Sequence, residues 1–183
     1  PMSFEIYGNL PIRFWGAYQM NSGLIKMYKY QTKVYYHQKK HWNLFLARLF
    51  CLIASPLTNI FYKGLDLIST YPDLRFYKTI RESIESVKEG DNIVIFPEKS
   101  LEGYQEELLG FYGGFITLTK SLLSEGIRAP IYVSYLNKKK KVCLVDAPRY
   151  IDDLINEYGN DPDKIAQALC DRCNELGREI KET

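Results

Sequence analysis

Asn92-Ile93-Val94-Ile95-Phe96, followed at once by Pro97-Glu98-Lys99-Ser100, is the segment on which the predicted architecture rests. Its first five residues form a β-branched, apolar run that is too short for a helix. This run predicts a strand that is buried on both faces of a sheet. Before it, residues 69–90 carry apolar side chains at spacings of three and four, which is typical of a helix. The predicted inner face of that helix consists of Leu74, Tyr77, Ile80, Ile84 and Val87.

Further strands and helices alternate along the chain. Short strands are predicted at residues 10–20, 64–68, 130–136 and 142–145, and the last two would form a hairpin. Helices are predicted at residues 44–62 with a break at Pro56, at residues 114–123, and after an Asp161 cap, whereas residues 24–42 are helical or irregular. The inner face of the last helix would consist of Ile165, Leu169, Leu176 and Ile180. This alternation predicts an α/β fold, a single layered domain over residues 1–183 with a largely parallel central sheet flanked by helices.

Composition limits the function classes. The chain has 183 residues, 46% of them hydrophobic, with 24 Lys and Arg against 22 Asp and Glu. A net charge of +2 gives no support to a nucleic-acid partner, and none is expected. The four cysteines are few and scattered, which indicates free thiols in a reducing compartment. Because the chain begins at Pro1 without an initiator Met, we expect a fragment that is truncated at its N-terminus.

The candidate site follows the central predicted strand. In open α/β sheets, ligands bind where loops leave the carboxyl ends of the strands. The loop after Phe96 carries a carboxylate, a cation and a hydroxyl in succession, on Glu98, Lys99 and Ser100, and the last two can donate hydrogen bonds. The loop after Phe96 is therefore the first candidate for a ligand-binding site.

Three blocks in order resemble the lysophospholipid acyltransferase family, which includes the glycerol-3-phosphate and 1-acylglycerol-3-phosphate acyltransferases. Phe96-Pro97-Glu98-Lys99-Ser100 is similar to the family's Phe-Pro-Glu-Gly-Thr-Arg-Ser. Leu108-Leu109-Gly110-Phe111-Tyr112-Gly113-Gly114-Phe115 is similar to its Pro-Phe-x-x-Gly-Ala helix start, and Ala129-Pro130-Ile131-Tyr132-Val133 to its Pro-Ile-Val-Pro-Val strand. The order and spacing agree over residues 60–136.

The resemblance implies an acyltransferase of the phospholipid biosynthesis type with a glycerolphosphate acyltransferase-like fold. A fatty acyl group would pass from acyl-CoA or acyl-carrier protein to a lysophospholipid or glycerol-phosphate-like hydroxyl, with no cofactor and no metal. The residues implied to bind the acceptor are Phe96, Pro97, Glu98, Lys99, Ser100 and Gly114. Glu98 would orient the donors, and Lys99 would partly replace a missing Arg. The expected location is cytoplasmic and peripheral to a phospholipid membrane surface.

This sequence also departs from the family's pattern. The catalytic His followed five positions later by Asp occurs nowhere, since His37 and His41 are followed there by Trp42 and Leu46. We expect that pair upstream of Pro1, which makes this stretch catalytically incomplete and inactive alone. Thr70 stands where the second block ends in Arg, and Lys99, Ser100 and Leu101 stand where the family has Gly, Thr and Arg.

Two other functions remain open. A degenerate acyltransferase-like fold could bind lipids or acyl groups without turnover, and the residues before Pro1 would discriminate it from the enzyme. An unrelated nucleotide-binding α/β domain is the weaker possibility, because no Gly-rich phosphate loop follows any predicted strand.

Four further features have a structural interpretation beside a functional one. His37 and His41 fit a solvated basic helix face better than a zinc site, and Cys170 and Cys173 fit incidental helix cysteines better than a redox pair. The four lysines at residues 138–141 suit a solvated turn, or attraction to anionic lipid. Residues 44–62 suit a core helix, or docking at a membrane interface through their aromatic side chains.

Overall fold

The computed structural model describes residues 11–99, 107–137 and 139–182. The chain divides into two compact units, Pro1–Ile95 (unit 1) and Phe96–Thr183 (unit 2). Each unit has its own secondary structure and its own buried residues. That residues 1–183 act as a single domain stays a prediction.

A three-stranded parallel sheet forms the centre of unit 1. Its strands are β1 (Ile12–Ala17), β2 (Ile68–Thr70) and β3 (Asn92–Val94), in the order β2-β1-β3. Trp15 pairs with Ile68 and Phe14 with Val94. Parallel neighbours need long crossover connections, and helices supply them here. The prediction of a mixed α/β chain with parallel strands flanked by helices is confirmed.

The helices of unit 1 fill those connections. They are α1 (Tyr18–Asn21), α2 (Leu24–Tyr30), a π-helix (Gln31–Lys39), α3 (Leu44–Gly64) and α4 (Phe76–Lys88). Phe14 of β1 packs with Leu65 and Leu67 in a buried cluster. This cluster is flanked by partly buried Ile12, Met20, Tyr62 and Val94. The segment that joins α3 to β2 therefore packs against the central strand of the sheet.

Unit 2 is built from α5 (Gly114–Ser124), β4 (Ser134–Asn137), β5 (Val142–Val145), α6 (Ile151–Tyr158) and α7 (Pro162–Glu182). The two strands form the predicted antiparallel hairpin, in which Tyr135 pairs with Leu144. The Asp161 carboxylate accepts from the backbone N–H of Asp163 at 3.0 Å and so caps α7, as predicted. The predicted inner face of α7 is buried: Ile165, Leu169, Leu176 and Ile180.

The predicted helix over residues 69–90 begins later than its apolar spacing suggested. α4 starts at Phe76, and Leu74, which was predicted to lie on the inner face, is 95% exposed. Tyr77 is exposed too. The buried face instead carries small hydroxyl side chains beside Ile80 and Ile84, and the Thr79 hydroxyl donates to the Ser69 carbonyl at 2.7 Å. Small side chains let the helix approach the sheet closely, which an apolar count does not detect.

Three predicted strands differ from the observed ones. Residues 64–68 are not a strand, because α3 continues to Gly64 and β2 begins only at Ile68. The strand predicted over residues 10–20 ends at Ala17, where α1 follows, and Leu10 lies outside the described residues. The strand predicted over residues 130–136 begins at Ser134, since Ile131 makes only an isolated bridge to Arg149.

The strand at residue 92 is also less buried than predicted. β3 covers Asn92–Val94, its first residue is exposed and the other two are half-buried. The physical reason is its place in the sheet, since β3 is an edge strand that pairs only with β1 within the described sheet. Helix α6 was not predicted, although Asp152 and Asp153 in its first turn suit the positive end of a helix.

Helix α3 passes through Pro56 without the predicted break. The residue before the proline is anchored, because the Ser55 hydroxyl donates to Gln31 Oε1 at 2.7 Å. Tertiary packing of this kind can hold a helix together at a proline that would disrupt it in isolation. By length and composition, α3 could cross a membrane.

An ion-pair network connects Asp146, the residue after β5, to α7. Arg172 Nε and Nη2 donate to the two carboxylate oxygens of Asp146, each at 2.9 Å, and Nη1 contacts Glu175 and Glu179. The hydrogen bonds from Arg172 hold the pKa of Asp146 below its ordinary value of 3.8. A carboxyl group with a depressed folded-state pKa stabilises the protein fully above its ordinary pKa and loses that contribution as the pH falls through the folded value.

We therefore expect the melting temperature of the wild type to fall more steeply below about pH 4 than that of Asp146→Asn. The variant should be less stable at neutral pH because it lacks the charged partner of Arg172. Thermal melts of both proteins between about pH 7 and pH 2 test this expectation. Parallel curves across the acidic range would show that Asp146 does not contribute to the acid sensitivity.

Candidate functional site

Two segments of unit 2 pair side by side and bring the predicted site residues together. The Lys99 N–H donates to the Gly110 carbonyl at 2.9 Å, and the Tyr112 N–H donates to the Pro97 carbonyl at 2.8 Å. Glu98 and Phe111 thereby form an antiparallel bridge. The paired segment 110–112 leads directly into α5, whose first residue is Gly114. Residues 96–99 and the start of α5 are therefore neighbours, although 14 residues lie between Lys99 and Gly114.

Lys99 lies across the exposed side of this pair. Its ammonium nitrogen stands 5.6 Å from the centroid of the Tyr112 ring, an aromatic contact that a cation favours. Gly110 leaves room for the lysine stem, since a Cβ there would lie 3.4 Å from Lys99 Cδ and 3.1 Å from Gln167 Oε1. Both Lys99 and Tyr112 are exposed. The arrangement presents a cation beside an aromatic ring to solvent, where an anion could reach it.

The start of α5 is less open to an anion than Lys99 is. Gly113 precedes the helix, and a Cβ there would lie 3.4 Å from Asp163 Oδ1 and 3.3 Å from the Pro162 carbonyl oxygen. A carboxylate beside a helix N-terminus already complements its partial positive charge. The start of α5 is therefore less favourable to an anion than the exposed Lys99 ammonium is.

Glu98 differs from Lys99 in its electrostatic environment. Desolvation raises the pKa of the Glu98 carboxyl above its ordinary value, although the residue as a whole is exposed. Burial is the main cause that raises the pKa of Cys170 to about 11 and the pKa of Cys173 to about 12. The negative charge of Glu98 is a smaller contribution in the same direction. The two thiols are therefore held protonated at neutral pH. They are buried helix cysteines rather than nucleophiles.

The structure thus groups five of the six predicted site residues, Phe96, Pro97, Glu98, Lys99 and Gly114, along one paired segment and the helix that follows it. The Phe96 side chain is exposed. Ser100 and Leu101 lie outside the described residues. Tyr112 and Gln167 were not predicted, because only the antiparallel pairing and the packing of α7 bring them to Lys99. No local sequence pattern carries that information.

A second cluster of a cation and aromatic rings follows β1 and β2 in unit 1. The Arg75 guanidinium lies 5.0 Å from the Tyr18 ring centroid and 4.7 Å from that of Tyr71. Arg75 also pairs with Asp73 at 2.7 Å, and this contact lowers the pKa of the Asp73 carboxyl to about 2. Thr70 stands where the acyltransferase family that the sequence resembles has Arg. Its hydroxyl donates to the Gly16 carbonyl at 2.9 Å. The role of Thr70 is thus structural.

The remaining sequence features take structural roles. His37 Nδ1 lies 2.9 Å from the Trp42 carbonyl oxygen, and His41 follows the π-helix with a positive φ of 55°, so the two imidazoles are not one helical turn apart. Within the described parts of the chain, no group of three His, Cys, Asp or Glu side chains could hold a metal ion. Lys140 donates to the Ile180 carbonyl at 2.7 Å, which favours a turn for the lysine run, whose Lys138 lies outside the described residues.

Comparison with models of known protein families, with curated proteins and with solved structures finds no match to this chain.

Proposed function

We propose that this protein is the acceptor-binding part of an acyltransferase that moves a fatty acyl group to a lysophospholipid or glycerol-phosphate-like hydroxyl. The observation that supports the proposal is the pairing of residues 97–99 with residues 110–112, which sets the exposed Lys99 ammonium beside Tyr112. A phosphate head bound to Lys99 would be held at one place. Fixing an acceptor hydroxyl against a thioester in this way can remove up to about 7 kcal/mol of the barrier.

The donor would be acyl-CoA or acyl-carrier protein. The acceptor oxygen forms the new ester bond to the acyl carbon as the carbon–sulfur bond breaks, and the proton removed from the hydroxyl balances the thiol that leaves. A histidine oriented by an aspartate is the usual group for this proton transfer. The proposal places that pair in chain outside these 183 residues, since the required His and Asp spacing is absent from them.

The proposal extends to the fold and the location. The proposed fold is glycerolphosphate acyltransferase-like. The chain would bind peripherally to the cytoplasmic side of a phospholipid membrane. Peripheral binding is proposed because lysophospholipid acceptors lie within the membrane. The cysteines support a reducing compartment, since all four are free thiols.

Lys99→Ala is expected to weaken lysophosphatidate binding about tenfold, because the variant loses a charge-assisted contact to phosphate at an exposed position. Titration calorimetry with short-chain lysophosphatidate measures the dissociation constant directly on this chain. Lys99→Arg should retain most of the affinity. Lys78→Ala, which removes an exposed lysine of unit 1 outside the candidate site, is the matched control. Equal affinity of Lys99→Ala and wild type, or equal affinity for an uncharged monoacylglycerol, would refute the assignment.

A lipid-binding module without turnover is the second candidate, and the missing His and Asp spacing favours it. The two candidates separate in a transfer assay on the full-length protein, with lysophosphatidate and an acyl thioester. Thiol release that depends on the acceptor indicates the enzyme. Lysophosphatidate binding without thiol release indicates the binding module.

A further inference from the structure

The charges of the chain are strongly segregated. Residues 24–64 contain no Asp or Glu and seven basic residues, namely Lys26, Lys29, Lys33, Lys39, Lys40, Arg48 and Lys63. The rest of the chain has 17 basic and 22 acidic residues, and is therefore net acidic. A net charge of +2 hides this division. Over 41 consecutive residues, the helical segment formed by α2, the π-helix and α3 can only attract anions.

Within this segment, α3 buries its small side chains and exposes its large apolar ones, which is the opposite of a helix in a water-soluble protein. Against its neighbours, α3 buries the small residues Ala47, Cys51 and Ser55. Its large apolar side chains point away and are exposed: Leu46, Leu49, Phe50, Ile53, Leu57 and Ile60. Ile53, near the middle of the helix, is 74% exposed. Soluble helices bury their large apolar stripe, so this stripe requires an apolar environment outside the unit.

Aromatic side chains surround one end of this stripe. Trp42 lies 4.9 Å from Tyr36 and 5.5 Å from Phe50 between ring centroids. Next to them, an open groove of about 550 Å³ is lined by Trp42, Asn43, Leu46, Leu49, Phe50 and Ile53. Tyr and Trp favour the boundary between lipid headgroups and acyl chains, and the groove is apolar enough for an acyl chain.

We infer that α3 binds the surface of an anionic phospholipid bilayer and lies in the plane of one leaflet, with its exposed apolar stripe among the acyl chains and the surrounding cations among the headgroups. The occupant is a lipid bilayer because apolar exposure and uninterrupted positive charge occur on the same segment. A nucleic acid would match the charge but leave the stripe in water. The inference rests on the membrane location in the proposed function, and names the surface responsible for it.

The position of the charges favours lying in the plane over spanning. Arg48 and Lys63 leave 14 uncharged residues between them. At 1.5 Å per residue this stretch is about 21 Å long, against about 30 Å for the hydrocarbon core. Both side chains are exposed, so both can reach headgroups of the same leaflet when the helix lies flat.

Vesicle flotation of the whole chain tests the inference without any acyl donor. We expect binding to vesicles of phosphatidylcholine with about 30% phosphatidylglycerol, and much weaker binding to phosphatidylcholine alone. Lys33→Gln with Lys40→Gln should lower the partition coefficient about 30-fold, from two lost headgroup attractions. Lys78→Gln with Lys164→Gln removes two exposed lysines outside the segment and should have no such effect.

The apolar stripe is tested by a second pair of variants. Ile53→Ser with Leu57→Ser should reduce binding at least about 30-fold. Leu74→Ser removes a more exposed leucine outside the segment and should leave binding unchanged. Both stripe positions are exposed in the isolated chain, so circular dichroism should show an unchanged fold. If the charge and stripe variants bind like wild type, the inference is wrong.

The depth of the helix is measured with a tryptophan at position 53, in a chain in which Trp15 and Trp42 are replaced by Phe. Lipids brominated near the headgroup should quench the Ile53→Trp emission more strongly than lipids brominated near the chain end. The opposite order would indicate a spanning helix and overturn the in-plane arrangement. Sedimentation that shows a dimer, together with no vesicle binding, would assign the stripe to a second copy and overturn the inference.

The experiments distinguish failure of this inference from failure of the proposed function. Vesicle binding without acyl transfer or lysophosphatidate binding would support the membrane-binding role of α3 and refute the proposed acyltransferase function. Lysophosphatidate binding that depends on Lys99, without vesicle binding, would refute only the membrane-binding role of α3.

Discussion

Phe14→Ala should lower the free energy of unfolding by about 3–5 kcal/mol, the usual cost of removing a buried phenyl ring. Phe14 is 3% exposed and lies on β1, the central strand of the parallel sheet. Its ring packs on Leu65 and Leu67, so the variant leaves a cavity between the sheet and the segment that ends α3. Urea unfolding followed by circular dichroism measures the change.

Phe45→Ala is the matched control, because it makes the same truncation on an exposed position of unit 1. We expect that control to change the free energy of unfolding by less than about 0.5 kcal/mol in water. Hydrogen exchange should locate the effect of Phe14→Ala, with faster exchange in β1, β2 and β3. A loss of stability no larger than that of Phe45→Ala would contradict the assignment of Phe14 to the core.

Gly177→Val should destabilise the chain by about 3 kcal/mol, the upper part of the range for forcing extra atoms into a packed core. A Cβ at Gly177 would lie 2.7 Å from Tyr135 Cε2 and 2.8 Å from Cζ, closer than real Cβ contacts. The Tyr135 ring is 5% exposed and cannot move into solvent without unpacking. In a helix interior, replacing Gly normally gains up to about 1 kcal/mol, so the sign here is reversed by tertiary packing.

The test compares thermal and urea unfolding of Gly177→Val with those of Gly64→Ala, whose added Cβ meets nothing within 4 Å. Gly64→Ala should be neutral or stabilising. In a Tyr135→Ala background, where the ring is absent, Gly177→Val should cost less than in the wild type. An equal cost in both backgrounds would show that contact with Tyr135 is not the cause.

The local pattern was informative wherever a helix end or a hairpin has its own chemistry. Asp161 followed by Pro162 predicted the start of α7, since a carboxylate cap and a proline in the first turn act within a few residues. Gly126, with a φ of +80°, follows the end of α5 as predicted. The hairpin of β4 and β5 likewise needs only its own turn and its two short strands.

The candidate site was predicted by its residues but not by its geometry. Lys99 was singled out because it follows an apolar strand-like run, which is local information. Its position beside Tyr112 depends on the pairing of residues 97–99 with 110–112, and the residues between them lie partly outside the described chain. The environment of Lys99 could not be read from spacing for this reason.

Amino-acid order alone determined the cap of α7, the β4–β5 hairpin and the presence of an apolar segment at residues 44–62, because these depend on neighbours within a few positions. Tertiary structure alone decided which face of that segment is buried. The apolar side chains of α3 predicted a core helix by default, with a membrane-docking helix as the alternative, and only the packing of Ala47, Cys51 and Ser55 turned the large side chains outward. Hydrophobic periodicity specifies a face, but the partner that covers that face is set by contacts distant in sequence.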